Sequence, residues 1–145
     1  MAGATLIDGK AKAARLSEAV SAGAVELLER HNVKPGLAVI IVGDDPASQV
    51  YVRNKTRTAR SCGFHSVQHT LPADSTESEV LALIERLNAD RAIHGILVQL
   101  PLPGHLDEQK ITQAVAPEKD VDGFHFHNIG RLTAGAVDET FVPCT

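Results

Sequence analysis

The sequence predicts an α/β domain of three layers, a mostly parallel sheet flanked by helices. Three observations predict it. The chain has 145 residues, about one domain's length. Short apolar runs alternate with longer stretches whose apolar residues recur at helical spacing, the pattern of β-α units around a parallel sheet. The run Leu37–Val42 is apolar without alternation, as expected of a strand covered on both faces.

The elements follow in order. A helix is expected from about Lys10 to His31, with Leu16, Val20, Ala24, Leu27 and Leu28 at helical spacing and Lys34-Pro35-Gly36 breaking it. After the strand Leu37–Val42, Gly43-Asp44-Asp45-Pro46 is the turn, with proline suited to a helix's first turn. A second helix is expected from Pro46 to Cys62, with Gly63 as its carboxyl-terminal cap. Phe64–Leu71 reads as a strand. Thr76 and Glu79 suit a capping box for a helix that puts Val80, Leu83, Ile84 and Leu87 on one side. Ile93–Leu100 reads as a strand that Pro101-Leu102-Pro103-Gly104 stops. A short helix from about Asp107 to Val115 and a loop from Ala116 to Gly123 follow.

Composition sets limits. Apolar content of 43% and charge of 22% are ordinary for a soluble globular protein. A net charge of -4 argues against a sequence-independent nucleic-acid binder, and 3% aromatic content argues against a base-stacking platform. The two cysteines, Cys62 and Cys144, form neither a disulfide framework nor a zinc knuckle, which fits a reduced, cytoplasmic setting. The first ten residues carry no basic segment followed by an apolar core, so no secretory signal is expected. The apolar runs fall far short of the ~20 residues that span a bilayer, so no membrane partner is expected.

Three residues point to chemistry. Tyr51 and Lys55 are four apart on the second predicted helix, and Ser48 shares their face. Gln99 is a lone amide in the run Gly95–Leu100, where burial costs a few kcal/mol unless the amide is paired. In open α/β sheets, ligands bind beyond the carboxyl ends of the strands. Gly43–Lys55 and Gln99–Pro103 both follow strand ends, so they can meet at one edge. Lys55 is then a candidate general acid/base, with Tyr51 orienting it or the substrate and Gln99 as hydrogen-bond partner. An ordinary lysine is a poor base at neutral pH, but burial and neighbours can bring a catalytic one down to ~7–8. The bland alternatives are a solvated lysine beside a half-buried tyrosine and an edge-strand glutamine facing water. Tyr-x-x-x-Lys also occurs in short-chain dehydrogenases, but no G-x-G-x-x-G or Walker A loop is present to cradle a nucleotide.

Asp120, Asp122, His125 and His127 admit a metal reading. A calcium loop fails, because Ile129 stands where its closing glutamate belongs. Zinc is disfavoured by two histidines with no nearby cysteine, and no metal is expected. The better alternative is a turn at Asp122-Gly123 that points one carboxylate into the cleft, shaped to accept two N–H groups from an amino-pyrimidine ring. The bland one is a turn whose aspartates bond their own backbone. Ser48 suits helix capping or a ligand contact. His31, His65, His69, His94 and His105 are scattered, with no assigned role.

Taken together, these segments resemble the bifunctional methylenetetrahydrofolate dehydrogenase/methenyltetrahydrofolate cyclohydrolase family, in its amino-terminal catalytic domain. The pieces are Val42–Lys55, Gly63-Phe64, His94–Pro103, Pro117–Gly123, Asn128–Leu132 and Pro143-Cys144-Thr145, in that order and covering essentially the whole chain. Val-Gln-Leu-Pro-Leu-Pro and Lys-Asp-Val-Asp-Gly are the most specific of them. The resemblance implies that Lys55 is the catalytic lysine, Tyr51 the tyrosine beside the folate, and Gln99 the glutamine that pairs with the lysine. It implies that Asp122 grips the pterin and that Val98, Leu100 and Pro101 wall the folate pocket.

The resemblance also implies two linked reactions. The first is oxidation of 5,10-methylenetetrahydrofolate to the methenyl form by NADP (NAD in some members). The second is hydrolysis of the methenyl form to 10-formyltetrahydrofolate, in one-carbon metabolism and purine biosynthesis. Family chains run to nearly twice this length. Their second half is a Rossmann domain with the dinucleotide site, and a last helix packs back on the first domain. The whole chain, 1–145, is therefore expected to be the folate domain alone, without cofactor-binding residues and lacking dehydrogenase activity; full-length members are expected to be homodimers. The other reading is a truncated, catalytically inert folate-binding module. Phe126 stands where many members have proline, which bears on the local loop shape.

Overall fold

A computed structural model describes residues 7–143. Its elements are α1 (Gly9–His31), β1 (Gly36–Val42), α2 (Pro46–Ser61), β2 (His65–Leu71), α3 (Glu77–Ala89), β3 (Gly95–Val98), α4 (Glu108–Gln113) and α5 (Phe126–Thr133), then a 3-10 turn over Val137–Glu139. The expectations about the amino-terminal signal, Cys144 and the terminal Cys144-Thr145 step fall on residues outside the described ones.

The strands lie in the order β2-β1-β3, and both pairings are parallel. β1 is therefore central, and its unbroken apolar run reflects cover on both faces. Side chains alternate across a strand, so β1 feeds two cores. Ala38, Ile40 and Val42 join Ile96 and Val98 of β3 against Val80, Ile84 and Leu87 of α3 and Ile111 of α4. Val39 and Ile41 join Leu97 of β3 against Val52 of α2 on the other side. This gives the three layers. β2 is an edge strand, and it exposes His65, Gln68 and Thr70.

Local signals set the helix ends. Thr76 and Glu79 form the capping box reciprocally: the Glu79 N–H donates to Thr76 Oγ1 at 3.3 Å, and the Thr76 N–H donates to Glu79 Oε2 at 2.7 Å. Gly63, at φ 86°, ends α2 in a Schellman turn; the Phe64 N–H donates to the Ala59 carbonyl, and the Gly63 N–H donates to the Arg60 carbonyl.

Three features differ from expectation. The α1 stripe is mostly solvent-facing: Ala24 is buried, but Leu16, Val20, Leu27 and Leu28 are exposed. Helical spacing specifies a helix; it does not specify a partner for the helix face. α1 itself ends at His31 as expected, capped by Asn32 in the left-handed region. β3 shortens to Gly95–Val98, although backbone bonds to Gly36 and Ile40 continue the pairing at His94 and Gln99. The Ala116–Gly123 loop runs alongside β3 through a parallel bridge between Ile96 and Asp120, and α5 follows it. Among the described residues no helix is long and apolar enough to cross a membrane.

Candidate active site

The connections explain where a site forms. From β1 the chain crosses to β2 on one side, and from β2 it returns past β1 to β3 on the other. The connections thus diverge at the carboxyl ends of β1 and β3, a topological switch point where open α/β sheets bind ligands.

Alternation delivers Gln99 to that point. Leu97 belongs to the α2-side core, so Gln99, two residues on, carries the same parity and faces α2. Its backbone N–H donates to the Ile40 carbonyl at 2.8 Å, which fixes it beside β1. On α2, Ser48, Val52 and Thr56 face inward at four-residue spacing. Lys55, one position before Thr56, is half-buried at the rim of that face.

The two groups meet. Lys55 Nζ donates to Gln99 Oε1 at 3.1 Å. The Gln99 Nε2 group donates to the Leu100 carbonyl at 2.6 Å, which turns the amide oxygen toward the lysine. Gln99 is therefore a paired, half-buried amide and not a water-facing one.

Asp122 completes the group on the β3 side. It is half-buried, and its carboxylate accepts no hydrogen bond among the described residues. Burial pushes its carboxyl above the ordinary carboxylate range, Lys55's charge pulls it back down, and Asp120 adds to the upward push. An unsatisfied carboxylate facing a cation at a sheet edge is suited to an N–H-bearing ligand.

The remaining expected residues are placed as follows. Tyr51 lies one turn before Lys55 on α2 and is 62% exposed, more open than the half-buried tyrosine considered from sequence. Ser48 is buried and does not cap α2; Asp45 does, accepting the Ser48 N–H at 2.7 Å. That bond, above all, holds the Asp45 carboxyl below its ordinary range. Val98 is buried in the α3-side core, so its side chain lies on the opposite face from Lys55 and Gln99. It also lines a narrow cleft with Asp122 and Phe124. Leu100 is half-buried against that core, and Pro101 is exposed after a cis Leu100–Pro101 peptide. A cavity of about 660 Å³ lies elsewhere, lined by Pro117, Glu118, His127, Arg131 and Phe141 among others. Among the described residues no group of three or more His, Cys, Asp and Glu could hold a metal ion.

Three roles were not legible in the sequence. Lys119 Nζ donates to the carbonyls of Leu87, Asn88 and Asp90 at 3.1, 2.8 and 2.8 Å, closing the carboxyl end of α3. Asp120 and Asn128 are both buried and bonded to each other. A second aspartate two residues before Asp122 was the available signal for Asp120. Nothing local marks Asn128.

Known proteins share this sequence and fold. Residues 7–122 match the family described as tetrahydrofolate dehydrogenase/cyclohydrolase, catalytic domain. The bifunctional protein FolD 1 of Mesorhizobium japonicum is 60% identical over 142 residues, 98% of this chain and 48% of that protein. The bifunctional FolD methylenetetrahydrofolate dehydrogenase/cyclohydrolase of Campylobacter jejuni superposes with a TM-score of 0.92 at 44% identity, over 97% of this chain and 49% of that one. The Trypanosoma brucei enzyme, solved with NADP cofactor and inhibitor, superposes at 0.89 with 37% identity, over 99% of this chain and 49% of that one. The chain spans about half the length of the curated relatives it matches. With its motifs in order and its fold shared end to end, this chain belongs to the tetrahydrofolate dehydrogenase/cyclohydrolase catalytic-domain family.

Proposed function

We propose that this chain is the folate-binding and proton-transfer half of a methylenetetrahydrofolate dehydrogenase/methenyltetrahydrofolate cyclohydrolase, with Lys55 as its acid/base. The observation that carries the proposal is the 3.1 Å bond from Lys55 to Gln99 at the switch point, with Asp122 alongside. In the hydrolytic step, water adds to the methenyl carbon. A C–O bond forms and becomes the formyl C=O, and the C–N bond to the ring nitrogen breaks. Lys55 carries one of the water's two protons to that nitrogen, and the second leaves to solvent with the cation's charge. Gln99 holds the lysine, Tyr51 stands beside the folate, and Asp122 accepts N–H groups of the pterin. Leu100 and Pro101 wall the pocket, Ser48 contributes from α2, and Val98 contributes from the strand end. Orientation of the reacting carbon against Lys55 is the larger part of such a rate gain.

The hydride step belongs to a dinucleotide, NADP in this proposal, and the residues of this chain do not fit one. The turn from β1 to α2 carries Asp44 and Asp45 where a pyrophosphate needs free N–H groups. The Asp45 carboxylate already accepts the Ser48 N–H there. We therefore place the NADP site in the half of the relatives that this chain does not span, and expect no dehydrogenase activity from the 145 residues alone. A cytoplasmic location and homodimeric full-length enzymes belong to the same proposal. The net charge of -4 supports the absence of a nucleic-acid partner.

The exposure of Tyr51 favours a second reading, an open site that binds folate without turnover. One assay separates the two: loss of methenyl absorbance with 5,10-methenyltetrahydrofolate, for the 145-residue chain, for Lys55→Met, and without protein. A Lys55-dependent rate at least about 100-fold above the variant's supports the catalytic reading. Equal rates with folate still bound support the binding module, and absence of folate binding sinks both.

A further inference from the structure

The Lys119–Gly123 stretch contains one carboxylate assigned to a ligand, Asp122, and one, Asp120, that is held by the protein through a single oxygen. Asp120 is 4% exposed, and its Oδ2 accepts the His125 N–H at 2.8 Å and the Asn128 Nδ2 group at 3.0 Å. Asn128 is 3% exposed and is itself saturated. Its Nδ2 group also donates to the Pro117 carbonyl at 2.9 Å, and its Oδ1 accepts the Thr140 hydroxyl at 3.0 Å. A buried amide with donors and acceptor all paired has a single orientation.

This network anchors, at Asp120, the near foot of a short arch whose two feet are also held by backbone bonds. The near foot is tied to the sheet, where the Ile96 N–H donates to the Lys119 carbonyl at 2.7 Å and Ile96 bridges Asp120. The far foot is Gly123, whose N–H donates to the Asp120 carbonyl at 3.1 Å. At φ 69°, a Cβ on Gly123 would come within 2.7 Å of the Phe141 carbonyl oxygen, so the terminal segment closes over it. Only Val121 and Asp122 lie between the feet.

We infer that Asp120 and Asn128 are positioning residues: they clamp the arch that presents the Asp122 carboxylate to the folate's N–H groups. The assignment rests on the proposed role of Asp122. It explains why two aspartates two residues apart have opposite fates, one buried and bonded within the protein, the other without a hydrogen-bond partner among the described residues and facing the site. It also gives α5 and the segment through Thr140 a function, as the far wall of the clamp.

The test is a double-mutant cycle on the full 145-residue chain, with 5-formyltetrahydrofolate as a stable probe. Asn128→Ala should weaken binding about tenfold with Asp122 present and less than twofold in the Asp122→Ala background. Thr140→Val removes only the hydroxyl that orients Asn128, so it keeps the test alive if Asn128→Ala fails to fold; about threefold weaker binding is expected. Equal losses in both backgrounds, or no loss, would overturn the inference. A ligand-free arm stands apart from the folate assignment: a carboxyl-carbon NMR titration of Asp122. Its midpoint should return toward the ordinary carboxylate range in Asn128→Ala or Thr140→Val. An unchanged midpoint overturns the clamp. If the parent chain binds no folate, or Asp122→Ala abolishes binding, the titration decides alone; the first of those outcomes removes the functional reading and not the clamp.

Discussion

Replacing Lys119 with methionine separates structure from chemistry within the Lys119–Gly123 motif. The ammonium bridges three carbonyls at the carboxyl end of α3, two of them at 2.8 Å. Methionine keeps most of the apolar stem and removes the charge and its donors. A cation at a helix carboxyl end contributes ~0.3–1 kcal/mol, and up to ~2 in partly buried geometries. A hydrogen bond to a charged group contributes about 1.5–3 kcal/mol. The three bonds share one half-exposed group, so they do not add, and solvent screens part of the effect. Lys119→Met should therefore cost about 2 kcal/mol. At ~2–4 °C per kcal/mol for a chain of this size, the melting temperature should fall by about 4–8 °C. Urea unfolding followed by far-ultraviolet circular dichroism, with melting run in parallel, measures the change. Folate affinity below the new midpoint should stay within about twofold of the parent. A cost under about 0.5 kcal/mol would refute the helix-end role. Lost affinity in a chain of undiminished stability would move Lys119 into the site itself.

Gly36 offers a second stability test. A Cβ there would overlap the Ala92 backbone carbonyl, and Gly36 also donates its N–H to His94 Nδ1 at 2.9 Å. Backbone cannot swing away as a side-chain tip can, so Gly36→Ala should cost about 3 kcal/mol or more by chemical denaturation, at the upper end of overpacking effects; a cost under about 1 kcal/mol would mean that the strands part easily there. Asp122→Asn tests the raised carboxyl. A folded-state pKa above the unfolded value stabilises fully below the unfolded pKa, near 3.8, and that contribution is lost as pH rises through the folded value. The variant lacks this term, so it should gain on the parent as pH climbs from about 3.8 and be the more stable of the two at pH 7, while losing folate affinity. Denaturation midpoints across pH check this; a gap that closes with rising pH contradicts it.

The sequence by itself determined the elements through α4 and nominated the chemistry. The apolar run Leu37–Val42, the Thr76/Glu79 box and Gly63 act within a few residues of one another, so strand, cap and helix end were readable. Gln99 was legible because an amide in an apolar run demands a partner, and the 3.1 Å bond from Lys55 supplies one. The tertiary structure decided what depends on elements distant in sequence. The order β2-β1-β3 places α2 beside the end of β3 and so brings residues 44 positions apart into contact. It decided that Asp45 and not Ser48 caps α2, and that the apolar stripe of α1 stays largely exposed. It also decided that Lys119 serves a helix about 30 residues earlier, and that Asp120 is tied to Asn128 while Asp122 is left free. Local periodicity records what a residue can do within its own turn or strand. Which donor a buried acceptor meets is fixed only when the chain closes on itself.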